Sequence, residues 1–409
     1  MPTTITHIPF CRPLIDQPVM DEVMDCLTQT GWLTSGPKVL ALEAEIQQFT
    51  SAKSVICVNS WTSGAMLILR WFGVGPGDEV IIPAYTYAAT ALCAINLGAK
   101  VVMVDVKDDF TLDPTQLAKA ITPRTKVIIP VDIGGWPADY QAIETVIKHP
   151  EIIHKFQAES PEQEKLGRIL ILADAAHSLG AVYRGKPVGT VADVSVFSFH
   201  SVKNITTGEG GAVALNLPEP FDHTSTHRFL KTLALNGQTK SAFEKNQAGG
   251  WRYDIVEAGL KANMPDLCAA VGLAQIRRYE TSLLPERKQL FLLYQHFFST
   301  FENVKLPNFD DFQGSISSCH LYQLRFTDYT DQQRDWMIDQ LAKTGIGTNV
   351  HYIPLPMLTL FKNLGFRMED YPQSYRCFQG EISLPIYNGL SPEEVKVVCS
   401  AIQRIHISR

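Results

Sequence analysis

A net charge of -6 over 409 residues, with no long run of lysine or arginine, argues against a nucleic-acid surface. The sequence holds no long uncharged apolar span and no charged-then-apolar leader, so it is expected to work in the cytoplasm, away from a membrane. Eight scattered cysteines without a C-x-x-C pair argue against a metal centre or a disulfide framework.

The length exceeds what one simple core serves, so a large domain over 1–280 and a smaller one over 281–409 are expected. An amphipathic helix is predicted over 18–30, stopped by Gly31. The loop Gly31-Trp32-Leu33-Thr34-Ser35-Gly36-Pro37 follows, then a helix with Val39, Leu42, Ile46 and Phe49 on one face. A strand at 54–58 runs through Asn59-Ser60-Trp61-Thr62-Ser63-Gly64 into a helix at 65–72. Small hydroxyl residues between a strand and a helix N-terminus suit either plain capping or an anion site. After the strand at 77–83 come Tyr85 and Tyr87, of which one flat ring could stack on a planar ligand and the other fill the core. Further strands at 100–105 and 126–131 continue the alternation with helices that makes a mostly parallel sheet. The polar stretch 149–167 reads as a solvated surface excursion.

Two stretches carry the chemistry. After Arg168, residues 169–173 form an apolar run ending in Asp174-Ala175-Ala176-His177, which places an aspartate at the carboxyl end of a buried strand, where ligands of open α/β sheets bind. About 30 residues on, the apolar Val196-Phe197-Ser198-Phe199 leads to the single lysine Lys203 and then to Gly208, Gly210 and Gly211. A desolvated lysine loses its proton readily and becomes a nucleophile. Paired with the aspartate it suits pyridoxal phosphate, Lys203 forming the Schiff base and Asp174 keeping the pyridinium nitrogen protonated.

Downstream, a helix is predicted at 221–236, a polar loop at 238–250 and a helix at 267–279. A long helix with Leu283, Leu290, Leu293 and Phe297 enters the second domain. There, short segments at 318–326, 331–344, 348–352 and 391–404 alternate strand and helix.

Asp174-Ala175-Ala176-His177 and Phe197-Ser198-Phe199-x-x-x-Lys203-x-x-x-x-Gly208-Glu209-Gly210-Gly211 resemble the signature of the DegT/StrS sugar-nucleotide aminotransferases. The resemblance implies a fold-type-I pyridoxal-phosphate enzyme with a seven-stranded, mostly parallel sheet and a smaller C-terminal α/β domain. It implies Thr62, Ser63 and Ser198 at the cofactor phosphate, Tyr87 stacked on the ring and His177 beside the ring's phenolic oxygen. By the same resemblance, Asn263 reaches across a homodimer to the partner's phosphate, while Trp32, His351 and Tyr352 border the substrate. The substrate implied is a nucleotide-linked keto deoxy sugar, aminated at the expense of glutamate. Departures from the family pattern at Asp132 and Pro356 and the insertion at 149–167 leave the sugar open, Trp61 and Ser63 change the contacts near the phosphate, and another fold-type-I reaction (an amino-acid transaminase or a lyase) or a PLP-binding sensor stands as the alternative.

Overall fold

Runs of four or five residues, mostly apolar and buried on both faces, build the large sheet of this computed structural model, which describes residues 7–408. The strands are β1 (Ser54–Val58), β2 (Glu79–Pro83), β3 (Lys100–Val104), β4 (Thr125–Ile128) and β5 (Leu170–Asp174). A two-stranded ribbon, β6 (Val182–Tyr183) and β7 (Lys186–Pro187), precedes β8 (Val194–Ser198) and β9 (Gly211–Leu215). The seven-stranded sheet has the order β1-β9-β8-β5-β4-β2-β3. All contacts from β8 to β3 are parallel, and only β9 runs against its two neighbours. The mostly parallel sheet expected from the strand–helix alternation is therefore present.

A second sheet orders β10 (Val304–Lys305), β11 (Tyr322–Phe326) and β12 (Glu381–Leu384) antiparallel. The helices Leu284–Phe298, Asp331–Lys343 and Pro392–Ile407 pack their apolar faces on it around Phe291, Tyr294, Tyr322 and Ile402. Capping boxes at Thr330 and Ser391 start the last two helices. Ile8, from the start of the chain, belongs to this second core and bridges to Ile346.

Three local expectations change. The helix expected to begin at 65 starts at Trp61, because Ser60 caps it through a bond from the Ser63 N–H. Residues 348–352 are not a strand: Asn349 makes a single bridge to Ser383, and the His351–Tyr352 peptide is cis. The 149–167 stretch is more than a solvated excursion. It folds into the short helices Pro150–Lys155 and Pro161–Leu166, and Gln163 is completely buried. Ser160 Oγ and Gln163 Nε2 donate to the Phe72 carbonyl at 3.0 and 2.8 Å, satisfying the open end of the helix Trp61–Trp71.

Candidate active site

The parallel strands bring their carboxyl ends to one edge of the sheet, so β5 delivers Asp174 and β8 delivers Ser198 side by side. The loop from β8 to β9 is pinned at its base, with the Phe199 N–H donating to Gly210 O and the Thr207 N–H to Phe199 O, both at 2.9 Å. Lys203 sits within it. A Cβ on Gly211 would lie 2.7 Å from Phe197 O and 2.9 Å from Ser60 C. Glycine is required there because β8, β9 and the helix start approach backbone to backbone.

A cavity of about 500 Å³ opens at this edge, within the usual range for small-molecule sites. Lys203 and Asp174 line it, and so do Thr62, Ser198, Tyr87, His177, His351 and Tyr352. Asp174 is held by Thr90 Oγ1, which donates to Oδ2 at 2.8 Å, and by the Ala176 N–H, which donates to Oδ1 at 3.2 Å. Burial raises this carboxyl to about 6 against those bonds and the charge of Lys203. Loss of solvation lowers the Lys203 amine to about 8, with Asp174 and Cys11 acting in the other direction. Tyr87 is 62% exposed, its ring open and 5.7 Å from that of Tyr352, whereas Tyr85 is buried against Phe110. His177 is kept neutral, its pKa driven well down first by burial and then by Lys203.

Three residues singled out in the sequence lie elsewhere. Ser63 occupies the third position of its helix and faces back over the cap, so its hydroxyl bonds Asn59 Oδ1 at 2.5 Å; Ser60, the cap itself, lines the cavity instead. Asn263 donates to Ser35 Oγ at 2.6 Å, and its Oδ1 is buried without a partner among the described residues. Trp32 donates from Nε1 to Ser35 O at 3.0 Å and stands edge-on to Phe243. Asn263, Ser35 and Trp32 thus form one cluster outside the cavity.

Some cavity residues escaped the sequence reading. The His320 ring lies tilted with its centroid 4.3 Å from that of His177 and bonds Asn204 at 2.8 Å, joining a buried network with Tyr279. No local pattern marks it, since it precedes a strand in a different part of the chain. Thr90, in the first turn of the helix Ala89–Ile95, reaches back to Thr86 in the preceding bend, the two hydroxyls 2.8 Å apart, and no sequence pattern marks that contact.

These groups fit pyridoxal phosphate. A softened buried amine can attack an aldehyde, a buried carboxylate can face a pyridinium, and an open aromatic face can stack on the ring. Thr62, Ser198 and the start of the helix Trp61–Trp71 present hydroxyls and free N–H groups on one side of the cavity, a chemistry that a phosphate fits, with the tight backbone at Gly211 behind them.

Comparison with known proteins agrees. The profile of the DegT/DnrJ/EryC1/StrS aminotransferase family matches residues 13–155 and 162–403, leaving out a short piece of the 149–167 stretch. The chain is 33% identical to the spore coat polysaccharide biosynthesis protein SpsC of Bacillus subtilis over 403 residues, 97% of each protein. Among solved structures, Spr1654 of Streptococcus pneumoniae, assigned as a sugar aminotransferase, superposes in its PMP form with a TM-score of 0.93 at 42% identity, covering 98% of this chain and 99% of that one. Its PLP form matches with a TM-score of 0.92. PseC of Helicobacter pylori, an aminotransferase of pseudoaminic acid biosynthesis, has a TM-score of 0.84 at 26% identity, covering 98% of this chain and 100% of that one. The fold is that of the fold-type-I enzymes, and pyridoxal phosphate is the cofactor this cavity is built to hold. With the profile spanning nearly all of its length, the chain belongs to the DegT/DnrJ/EryC1/StrS aminotransferase family.

Proposed function

We propose that this protein transfers an amino group from glutamate to the keto group of a nucleotide-linked deoxy sugar, working as a homodimer with shared active sites. The observation that carries the reading is the pairing of Lys203 with Asp174 across one cavity, the amine lowered to about 8 and the carboxylate fixed by Thr90 and Ala176. When bound, pyridoxal phosphate supplies an electron sink for a carbanion at the substrate carbon. Asp174 would hold the proton of the ring nitrogen. With the cofactor in place, Lys203 Nζ as a free amine would carry the proton from the donor's α-carbon to C4′ of the cofactor, and in the second half-reaction from C4′ to the sugar carbon that gains the amine. Thr62, Ser198 and the helix N-terminus anchor the phosphate, and Tyr87 fixes the plane of the ring.

The sugar acceptor is supported by the relatives SpsC, Spr1654 and PseC and by the polar wall of His351, Tyr352, His177 and Asn349. Homodimerisation is supported by Asn263, whose unpartnered Oδ1 lies outside its own protomer's cavity. We also retain the division near residue 280 into cofactor-binding and C-terminal domains. The test is spectroscopic. Glutamate should convert the bound cofactor to its aminated form, and a nucleotide-linked keto sugar should restore it; recovery with several plain 2-oxoacids and with no keto sugar would overturn the acceptor.

A further inference from the structure

The first residue of β12 is a carboxylic acid that the chemistry above does not use. Glu381 is completely buried, and Ser383, two residues on, shares its face of the strand. Ser383 Oγ donates to Glu381 Oε1 at 2.5 Å, and the His351 N–H donates to Glu381 Oε2 at 2.9 Å. His351 Nδ1 stands 2.9 Å from the same Ser383 hydroxyl. A carboxyl–hydroxyl–imidazole relay thus ends on a ring in the cavity wall. With Nδ1 engaged, Nε2 is the ring nitrogen left for a ligand, and no residue among those described bonds it.

The donor and acceptor roles are tightly constrained. A backbone N–H can only donate, so Oε2 is always an acceptor and any carboxyl proton must sit on Oε1. When the carboxyl is ionised, the Ser383 proton points to Oε1, the Ser383 lone pair accepts from Nδ1–H, and Nε2 is a bare acceptor. When it is protonated, Oε1–H donates to Ser383, Ser383 donates to Nδ1, and the ring proton moves to Nε2. Burial and then Lys203 hold the ring neutral, its pKa pushed down to about 3, so the variable is the tautomer and not the charge.

We propose that Glu381 and Ser383 are positioning residues that set which ring nitrogen of His351 carries the proton, and so whether the cavity offers the amino acceptor a lone pair or an N–H. In the ionised state Nε2 accepts a hydrogen bond from a hydroxyl of the acceptor, a group that sugars have and simple 2-oxoacids lack. Polar complementarity of this kind discriminates strongly, because the analogue without the hydroxyl leaves a polar atom unmet. The inference rests on the sugar-acceptor reading and adds a specificity device to it. Burial raises Glu381 to about 8, opposed by Ser383, the His351 N–H and Arg334 of the helix Asp331–Lys343. The other groups around the relay are the Tyr85 and Tyr352 hydroxyls, Cys377 of the helix Pro372–Gln379, Arg325 across from Glu381 on β11, the neutral rings of His177 and His320, and Lys203 facing the ring. At about pH 9.5 the ionised state of Glu381 dominates.

The test uses the holoenzyme with ¹⁵N-labelled histidine at that pH, His351 being assigned with an H351Q variant. The wild type should carry its proton on Nδ1. E381Q should reverse this, since its amide oxygen keeps the His351 N–H while its NH₂ donates to Ser383 and forces the ring proton to Nε2. Should E381Q not fold, S383A cuts the relay and should leave both tautomers populated. In E381Q the KM for a nucleotide-linked keto sugar should rise about tenfold with kcat nearly constant, as loss of one ground-state hydrogen bond implies, and in S383A, where about half of the rings keep the Nε2 lone pair, it should rise about twofold. The same tautomer in wild type and variants, or an unchanged KM, overturns the proposal. A wild type that no keto sugar reoxidises refutes the acceptor reading instead, and the tautomer measurement still judges the relay.

Discussion

His177 donates a hydrogen bond from Nε2 to the hydroxyl of Tyr352, 3.0 Å away, and its direction is forced. The Gly134 N–H donates to His177 Nδ1 at 3.1 Å, and a backbone amide cannot accept. A neutral ring must then carry its proton on Nε2. The Tyr352 oxygen is an acceptor towards His177, so its own proton is free to point into the cavity. Tyr352→Phe should keep the fold and the bound cofactor while removing that donor. Turnover with the keto sugar is expected to fall about tenfold or more, the usual cost of one active-site hydrogen bond. Steady-state kinetics with a cofactor titration checks this, and unchanged turnover would leave Tyr352 as packing.

The lowered Lys203 amine makes a pH prediction with a definite sign. Only the neutral amine attacks the cofactor's aldehyde, so attachment to the apoprotein should speed up as pH rises and level off above about 8. An ordinary lysine would still be gaining above pH 10. Stopped-flow absorbance reads the rate, and borohydride trapping with peptide mapping should place the label on Lys203. Lys203→Ala should take up no covalent label.

Asp174→Asn removes a buried negative charge while preserving shape and the bond from Thr90. The variant should still attach the cofactor at Lys203, but turnover should drop by about a hundredfold or more, because the pyridinium proton is no longer stabilised. Single-turnover reduction of the cofactor by glutamate checks it.

Gly211→Ala tests the close approach of three backbones. The added methyl would meet Phe197 O and Ser60 C, neither of which can swing aside. A loss of about 1–3 kcal/mol is expected from overpacking, read by denaturant unfolding. Cofactor affinity should weaken too, because Ser60 caps the helix proposed to hold the phosphate.

Mixing protomers tests the shared site. A Lys203→Ala chain combined with an Asn263→Ala chain should form heterodimers in which one site carries both defects and the other none. Activity should return to the mixture, though neither parent has it in full. A mixture no more active than the sum of its parents would place Asn263 in a purely internal role with Ser35.

The amino-acid sequence alone determined the strands of the large sheet, and it placed Asp174 and Lys203 on the ends and loops where a ligand binds. Apolar runs punctuated by glycine are local signals, and a strand buried on both faces leaves little choice of partner layer. Cofactor chemistry was legible for the same reason, since each contributing group sits within a few residues of a strand end. Side-chain direction was not. Whether Ser60 or Ser63 faces the cavity depends on which residue caps the helix Trp61–Trp71, a matter of one position that hydroxyl composition cannot resolve. The histidine partners were hidden further, because Gly134, His177, His320 and Tyr352 come from four distant parts of the chain. So was the Glu381–Ser383–His351 relay, which exists only because the loop bearing His351 lies against β12. Burial then lowers the amine and raises the carboxylates, and burial is a property of the packed molecule.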